Sequence, residues 1–335
     1  MRLIKRKAVD LLTAAGVLLL ILWGPASAGG LFAQSLNVPS EKWGLSFGNS
    51  KEFTGLRFNF RDSRVRRVTG VNVTFWMPRK DNKESVVRGL SLGVAPGGGR
   101  VRGVQLGLLG AGAEASLIGL TVAGLGAGAG EDVKGVVLAF GGVGAGEDLA
   151  GIAVGGLGAG AGENITGFCL GGLGAGAGGS IKGIVMGGLG AGAGEDITGL
   201  ALGGLGVGCG EDLTGIAVGG LAVGCGERLT GLVIGGLAAG APEIRGLAIG
   251  GLGVGGETLR GAFLAGGMVL VVKGGRLSGL AASAFNYCQG TVRGLSIGLV
   301  NYAWRIEKGI QLGVVNIVRD NPKGLRILPV FNAGF

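Results

Sequence analysis

Histidine is absent from this chain of 335 residues. Its absence removes the commonest general base, the Ser-His and Cys-His nucleophile pairs, and imidazole ligation of zinc. Aromatic residues make up only 5% and prolines number 7, so any core has to be built from Leu, Ile, Val and Ala. The lack of a Gly-X-Y period excludes collagen, and no Gly-Lys-Ser/Thr cradle for phosphate occurs. Charge is sparse at 15% against 47% hydrophobic residues, a balance that opposes disorder. Glycine alone is abundant, with 80 residues where ordinary usage is roughly 7%.

Those glycines recur at a fixed interval. Residues 151–230 read GIAVGGLGAGAGENIT, GFCLGGLGAGAGGSIK, GIVMGGLGAGAGEDIT, GLALGGLGVGCGEDLT and GIAVGGLAVGCGERLT, copies of one unit, and such self-similarity marks a repeat architecture. From Gly89 the units start at glycines 103, 119, 135, 151, 167, 183, 199, 215, 231, 246, 261, 279, 294, 309 and 324. Glycine at this density opposes a helix, and no 3.6-residue stripe is present. The unit alternates with a period of two, which means strands. Stacked units share a core that one unit cannot bury alone. The expected fold is all-β: a Gly/Ala-rich parallel β-solenoid of about 15–16 residues per coil, built like other coil-stacking repeats. Residues 1–34 read as a signal peptide and its flank, 35–88 as an N-terminal cap with degenerate repeats, and 89–335 as the solenoid.

Within a unit, the residues at positions two and four, such as Ile152 and Val154, are expected to point inward, leaving position three outside. Central coils would then present a flat apolar ladder of Ala153, Cys169, Val185, Ala201, Ala217 and Val233, and contiguous apolar surface tends to be an interaction face. An acidic turn closes each unit. Glu195, Asp196, Glu211 and Asp212 stack one coil apart, where a calcium ion between coils is conceivable. The Gly-Gly-x-Gly-x-Asp pattern of calcium-binding β-rolls is missing, however, and a solvated polar edge is the plainer expectation. Cys209 and Cys225 fall at one position of consecutive units and are expected to be buried thiols in place of Ala. Cys169 and Cys288 have no evident partner.

The net charge of +9 is unevenly spread. Residues 35–102 carry thirteen basic and five acidic side chains, residues 103–262 five and thirteen, and residues 263–335 eight and two. An acidic middle and an exported chain argue against nucleic acid; basic ends suit anionic lipid or polysaccharide. Export is expected from the start of the chain. Arg2, Lys5, Arg6 and Lys7 precede the apolar stretch Leu11–Trp23, and Ala26-Ser27-Ala28 forms an A-x-A-type cleavage site.

Toward the end, Gly294-Leu-Ser-Ile-Gly-Leu-Val-Asn and Gly309-Ile-Gln-Leu-Gly-Val-Val-Asn are nearly one sentence, closing with Asn321-Pro-Lys-Gly-Leu-Arg-Ile-Leu-Pro-Val-Phe-Asn332. This stretch resembles a bacterial surface-repeat family of the leptospiral type, over residues 294–332 and more weakly in the Gly-Ala middle, which lacks the Val-Asn ending. The resemblance implies an exported, envelope-associated protein and supplies no catalytic residues.

The expectation is a non-enzymatic envelope or surface repeat protein with a structural or adhesion-like role and no cofactor. An envelope component, another protomer or an anionic surface polymer is the expected partner, and no small-molecule substrate is evident. The rival is an outer-membrane β-barrel pore, suggested by the leader, the short alternating strands and the terminal Phe335 after Phe331. Identical head-to-tail units and a single aromatic, Phe168, across residues 141–258 oppose it. A β-helix enzyme acting on polysaccharide comes third, since turns this short build no walled groove.

Overall fold

A computed structural model of the chain describes residues 35–334; the expected signal peptide lies outside the described residues. The chain winds as a parallel β-solenoid. A typical central coil contains a long strand, Ile165–Gly171, and a short one, Gly174–Ala177, separated by a two-residue corner and followed by the acidic turn. Each strand pairs in parallel and in register with its equivalent sixteen residues on. Ile165 meets Ile181 and Gly167 meets Gly183 in the long sheet, while Ala175 meets Ala191 in the short one. Successive antiparallel strands, the pairing of an up-and-down barrel, occur only at the two ends.

The first glycine of the unit sets the register. Eighteen of the twenty left-handed glycines form one continuous ladder from Gly44 to Gly309. Gly167 has φ of 119°, and a Cβ there would stand 2.3 Å from the carbonyl oxygen of Gly151 in the preceding coil. No other residue fits both the backbone angle and that approach. At ~4.8 Å per coil, the ladder spans about 80 Å.

The ladder continues through Gly44, Gly55 and Gly70, so the degenerate cap consists of further coils stacked in register. The outermost strand, Leu36–Pro39, turns antiparallel to Trp43–Phe47. At the other end Ile327–Ala333 runs antiparallel to Val300–Val318. Each closing strand contains a proline, Pro39 or Pro329, which cannot donate to a further ladder and blunts the open edge. Gly324 begins no further coil. It sits in the 3-10 turn Lys323–Leu325 that reverses the chain. The single eighteen-residue unit, from Gly261 to Gly279, loops out its excess between Val271 and Arg276, where Gly274 has φ of 81°.

The interior corrects the expected side-chain parity. Ile165, Cys169 and their equivalents Ile181, Val185, Ile197 and Ala201 are fully buried, whereas Ile152 and Ile216 at position two are 43% exposed. Ala153, Cys169, Val185, Ala201, Ala217 and Val233 are therefore core, with 0% exposure each, and form no outer face. The reason is spatial. The inward row of the long strand starts at Ile165 and passes through Gly167, Cys169 and Gly171, alternating as strands must. At Gly171 a Cβ would lie 1.9 Å from the carbonyl oxygen of Gly174 across the corner. Between such close walls the coils from Val137 to Ala248 take Ala, Val or Cys at position three, and the large residues at two and four are left outside.

Candidate functional site: the outer face of the long sheet

Three rows run along the outside of the long strands. Position two carries Leu45, Leu56, Val71 and Leu90 at one end, Ile152, Phe168, Ile184 and Leu200 in the middle, and Leu295 and Ile310 at the other end. Position four carries Phe47, Phe58, Val73, Leu138, Leu170, Met186, Leu202, Ile234, Ile297 and Leu312 in the same register. Every coil contributes an apolar residue to both rows. The corner adds an exposed ridge, from Leu109 and Leu125 through Leu157, Leu205 and Leu252 to Leu299 and Val314. Coil stacking fixes this ridge, since the Leu173 N–H donates to the Leu157 carbonyl and the Leu189 N–H to the Leu173 carbonyl. With strand spacing of ~4.8 Å and ~3.3 Å per residue, the strip covers on the order of 1,000 Å². The largest patch on an ordinary monomer is about 300–600 Å².

The third row, at position sixteen, borders the strip. It contains eight cations, Arg88, Arg102, Lys134, Lys182, Arg245, Arg260, Arg293 and Lys308, interspersed with Thr, Ser, Ala, Ile118 and, at its start, Trp43. No Asp or Glu occurs in that row or in the two apolar ones. Lys134 pairs with Asp132 at 2.7 Å and Arg245 with Glu243 at 2.8 Å, both acids belonging to the neighbouring turn. Arg293 pairs with Glu307. Arg88, Arg102, Lys182 and Lys308 make no ion pair among the described residues.

The turn row behaves as a solvated polar edge with a structural task. Asp148 Oδ1 accepts the Asn164 N–H at 3.2 Å, Asn164 Oδ1 that of Ser180 at 3.0 Å, and Asp196 Oδ1 that of Asp212 at 3.1 Å. Asp212 also pairs with Arg228 at 3.1 Å. Of the four residues considered for calcium, Asp196 and Asp212 are engaged in these contacts. Glu195 accepts from the Ser180 hydroxyl. Among the described residues no group of three or more Cys, Asp or Glu gathers as a metal site. Stacked like charges leave a trace: Asp196 beside it, with Glu227 and Glu195, raises the carboxyl of Glu211 above its ordinary pKa. Partial desolvation and the neighbouring Glu163 and Glu131 do the same for Glu147.

The two ends have polar interiors. Arg57, at position three and fully buried, donates to Asp62 at 2.7 Å and to Asn72 at 2.8 Å. Near the other end Asn286, Asn301 and Asn316 occupy the inward row that Ala and Val hold in the middle. Asn286 Nδ2 donates to Asn301 Oδ1 at 2.7 Å, and Asn301 Nδ2 to Asn316 Oδ1 at 2.8 Å. The same amides reach the corner carbonyls of Ile297 and Leu312. The Val-Asn ending thus has a structural explanation, which sequence reasoning missed. The signal for it was present, as Asn recurred where the corner is one residue shorter.

On the outside of that corner lies an apolar recess of about 940 Å³, lined by Ala282, Ile297, Leu299, Leu312, Val314 and Val330 among others. Cys209 and Cys225 are bonded, with Cα atoms 4.7 Å apart, which corrects the expectation of two thiols. That spacing falls within disulfide reach, and the coils on either side carry Ala193 and Ala241 at this position, so nothing large crowds the bridge. Cys169 and Cys288 are free and buried, and burial pushes both thiols up to about 11.

No family model matches this chain, and no curated protein and no solved structure matches it.

Proposed function

We propose that this chain is an exported, non-enzymatic repeat protein of the bacterial envelope that acts by docking, a rigid rod presenting one long apolar face. The single observation that carries this reading is the outer face of the long sheet: two unbroken apolar rows and a leucine ridge, with no acid among them. A soluble rod gains nothing from such a surface, because exposed apolar strips of this size favour association. Export is supported by the basic-then-apolar start of the chain with its Ala26-Ser27-Ala28 site and by the Cys209–Cys225 disulfide, a bond that persists in oxidising compartments. The leptospiral-type surface-repeat resemblance of residues 294–332 agrees with an envelope setting.

Fractionation of producing cells tests the reading. The chain is expected in the envelope fraction with its first residues removed. A Leu200→Glu, Leu202→Glu variant, altered only on the outer face, is expected to be released into the soluble fraction. An uncleaved chain in the cytosol, or a variant held as firmly as the parent, contradicts it.

A further inference from the structure

Resting on the docking reading, we propose that the occupant of this face is an anionic lipid surface, on which the rod lies flat along its length. The apolar rows at positions two and four share one face of the long sheet, and the corner ridge borders it. An apolar face of this kind settles ~5–10 Å into the boundary between headgroups and acyl chains. The row at position sixteen lies about 6.7 Å to the side of position two, two residues along the strand. Its cations are long enough to lay their stems on the apolar strip and lift their heads to the phosphates, as Lys and Arg do at interfaces. Arg88, Arg102, Lys182 and Lys308, spread from one end to the other, have no carboxylate partner among the described residues.

Charge decides between lipid and a second copy. Two rods meeting face to face would match apolar rows well, but this face has no acid to answer the cations of its mate. The nearest acids, Asp132, Glu243 and Glu307, stand beside this row and are already paired with Lys134, Arg245 and Arg293. A bilayer carrying anionic headgroups supplies both acyl chains and compensating charge. Aromatic residues fit the same occupant. Phe47 and Phe58, stacked at position four, and Trp43 at position sixteen bring exposed rings to this face near its first coils, and amphipathic rings sit well at headgroup level. The recess of about 940 Å³ between Ile297, Leu312 and Val330 opens among residues of this face and is mostly apolar. The inner asparagine ladder satisfies the Ile297 and Leu312 carbonyls behind it, so these two carbonyls lose no partner when an acyl chain covers the recess. Among the described residues no helix is long and apolar enough to cross a membrane; contact through the sheet needs none.

Flotation of the purified exported chain, its leader removed, with vesicles tests this, comparing phosphatidylglycerol-containing vesicles with phosphatidylcholine alone. The parent chain is expected to float with both and to prefer the anionic ones, with the preference shrinking as salt rises. Leu200→Glu with Leu202→Glu is expected to lose binding to both. Replacing Arg88, Arg102, Lys182 and Lys308 by Gln is expected to erase the anionic preference, about fivefold in partitioning per cation, and to leave phosphatidylcholine binding unchanged. These four cations hold no ion pair, so that variant keeps the fold and decides the matter even if the glutamate pair does not fold. A parent chain that stays unbound, or variants that float like the parent, overturn the proposal. So does a parent dimer in sedimentation that Leu200→Glu with Leu202→Glu turns into monomer while vesicles bind neither. If that variant leaves the cell envelope although vesicles never bind the parent, docking stands and lipid falls. If envelope retention ignores the variant, both fall.

Discussion

The central coils and the end coils are wound on the same glycine ladder, yet they are filled differently. In the middle, position three is Val137, Ala153, Cys169 or Val185, and the interior is wholly apolar. At the ends the same inward rows carry Arg57 and Asn72, or Asn286, Asn301 and Asn316, all buried. A central coil is flanked by identical neighbours and needs only shape. An end coil has to match a strand of different sequence and direction, and hydrogen bonds with fixed partners specify that match where interchangeable alanines do not. The outer face shows the reverse pattern, since its apolar rows run unchanged from end to end.

The largest loss is expected from the ladder the two regions share. Gly183→Val in the middle forces a side chain to within 2.1 Å of the Gly167 carbonyl oxygen at φ of 130°, and should cost more than about 3 kcal/mol, read as loss of a cooperative thermal transition. Next comes the N-terminal end. Asp62→Ala strands the Arg57 guanidinium in the interior and should cost about 3–5 kcal/mol in a denaturant titration. For the middle, replacing Cys209 and Cys225 together by Ala opens a sixteen-residue link and should cost about 2–4 kcal/mol. A loss below that of the Asn301→Ala variant would show that register holds the middle without the bridge. Asn301→Ala should itself cost about 1–3 kcal/mol, because corner carbonyls at Leu312 and Gly298 lose their donor.

The smallest effect concerns charge on the turns. Glu147 and Glu211 have folded pKa values above the ordinary one, so the folded state binds protons more readily there and loses stability as pH rises through that raised value. Glu243 and Glu307 are lowered, chiefly by hydrogen bonds from Arg245 and Arg228 and from Arg293. Their contribution is present above the unfolded carboxylate pKa and is lost as pH falls through the folded one. Glu211→Gln should therefore raise the melting temperature slightly at neutral pH, with no difference once the carboxyl is protonated. A drop at neutral pH would mean that the acidic row stabilises the stack.

The architecture was legible because period and glycine spacing are properties of the chain itself. Sixteen-residue recurrence fixes coil length, and Gly151, Gly167 and Gly183 can occupy one strained position only. Parity was not legible. Alternation predicts which residues share a face but not which face is inside, and here both faces are apolar. Large Ile and Leu at positions two and four looked like core, while Ala153 and Cys169 looked too small for it. The determining feature is the closeness of the two sheets at Gly171 and Gly174, which only folding brings together. Position fifteen held the clue: Ile165, Ile181 and Ile197 never vary to a polar residue, and counting by two from them reaches Cys169, Val185 and Ala201. The stacking of Cys209 on Cys225 was legible in the sixteen-residue repeat, and that the two are bonded was not.

Inside-out packing underlies the docking face, and thiol labelling tests it most directly. Native protein with its single disulfide intact is treated with a polar thiol reagent, alongside an Ile184→Cys variant. Cys169 should stay unlabelled until the chain is unfolded, being fully buried with its thiol pushed up to about 11, and the cysteine at 184 should react at the rate of an exposed thiol. Rapid labelling of Cys169 together with a protected 184 would restore the opposite parity and remove the apolar face on which the account rests.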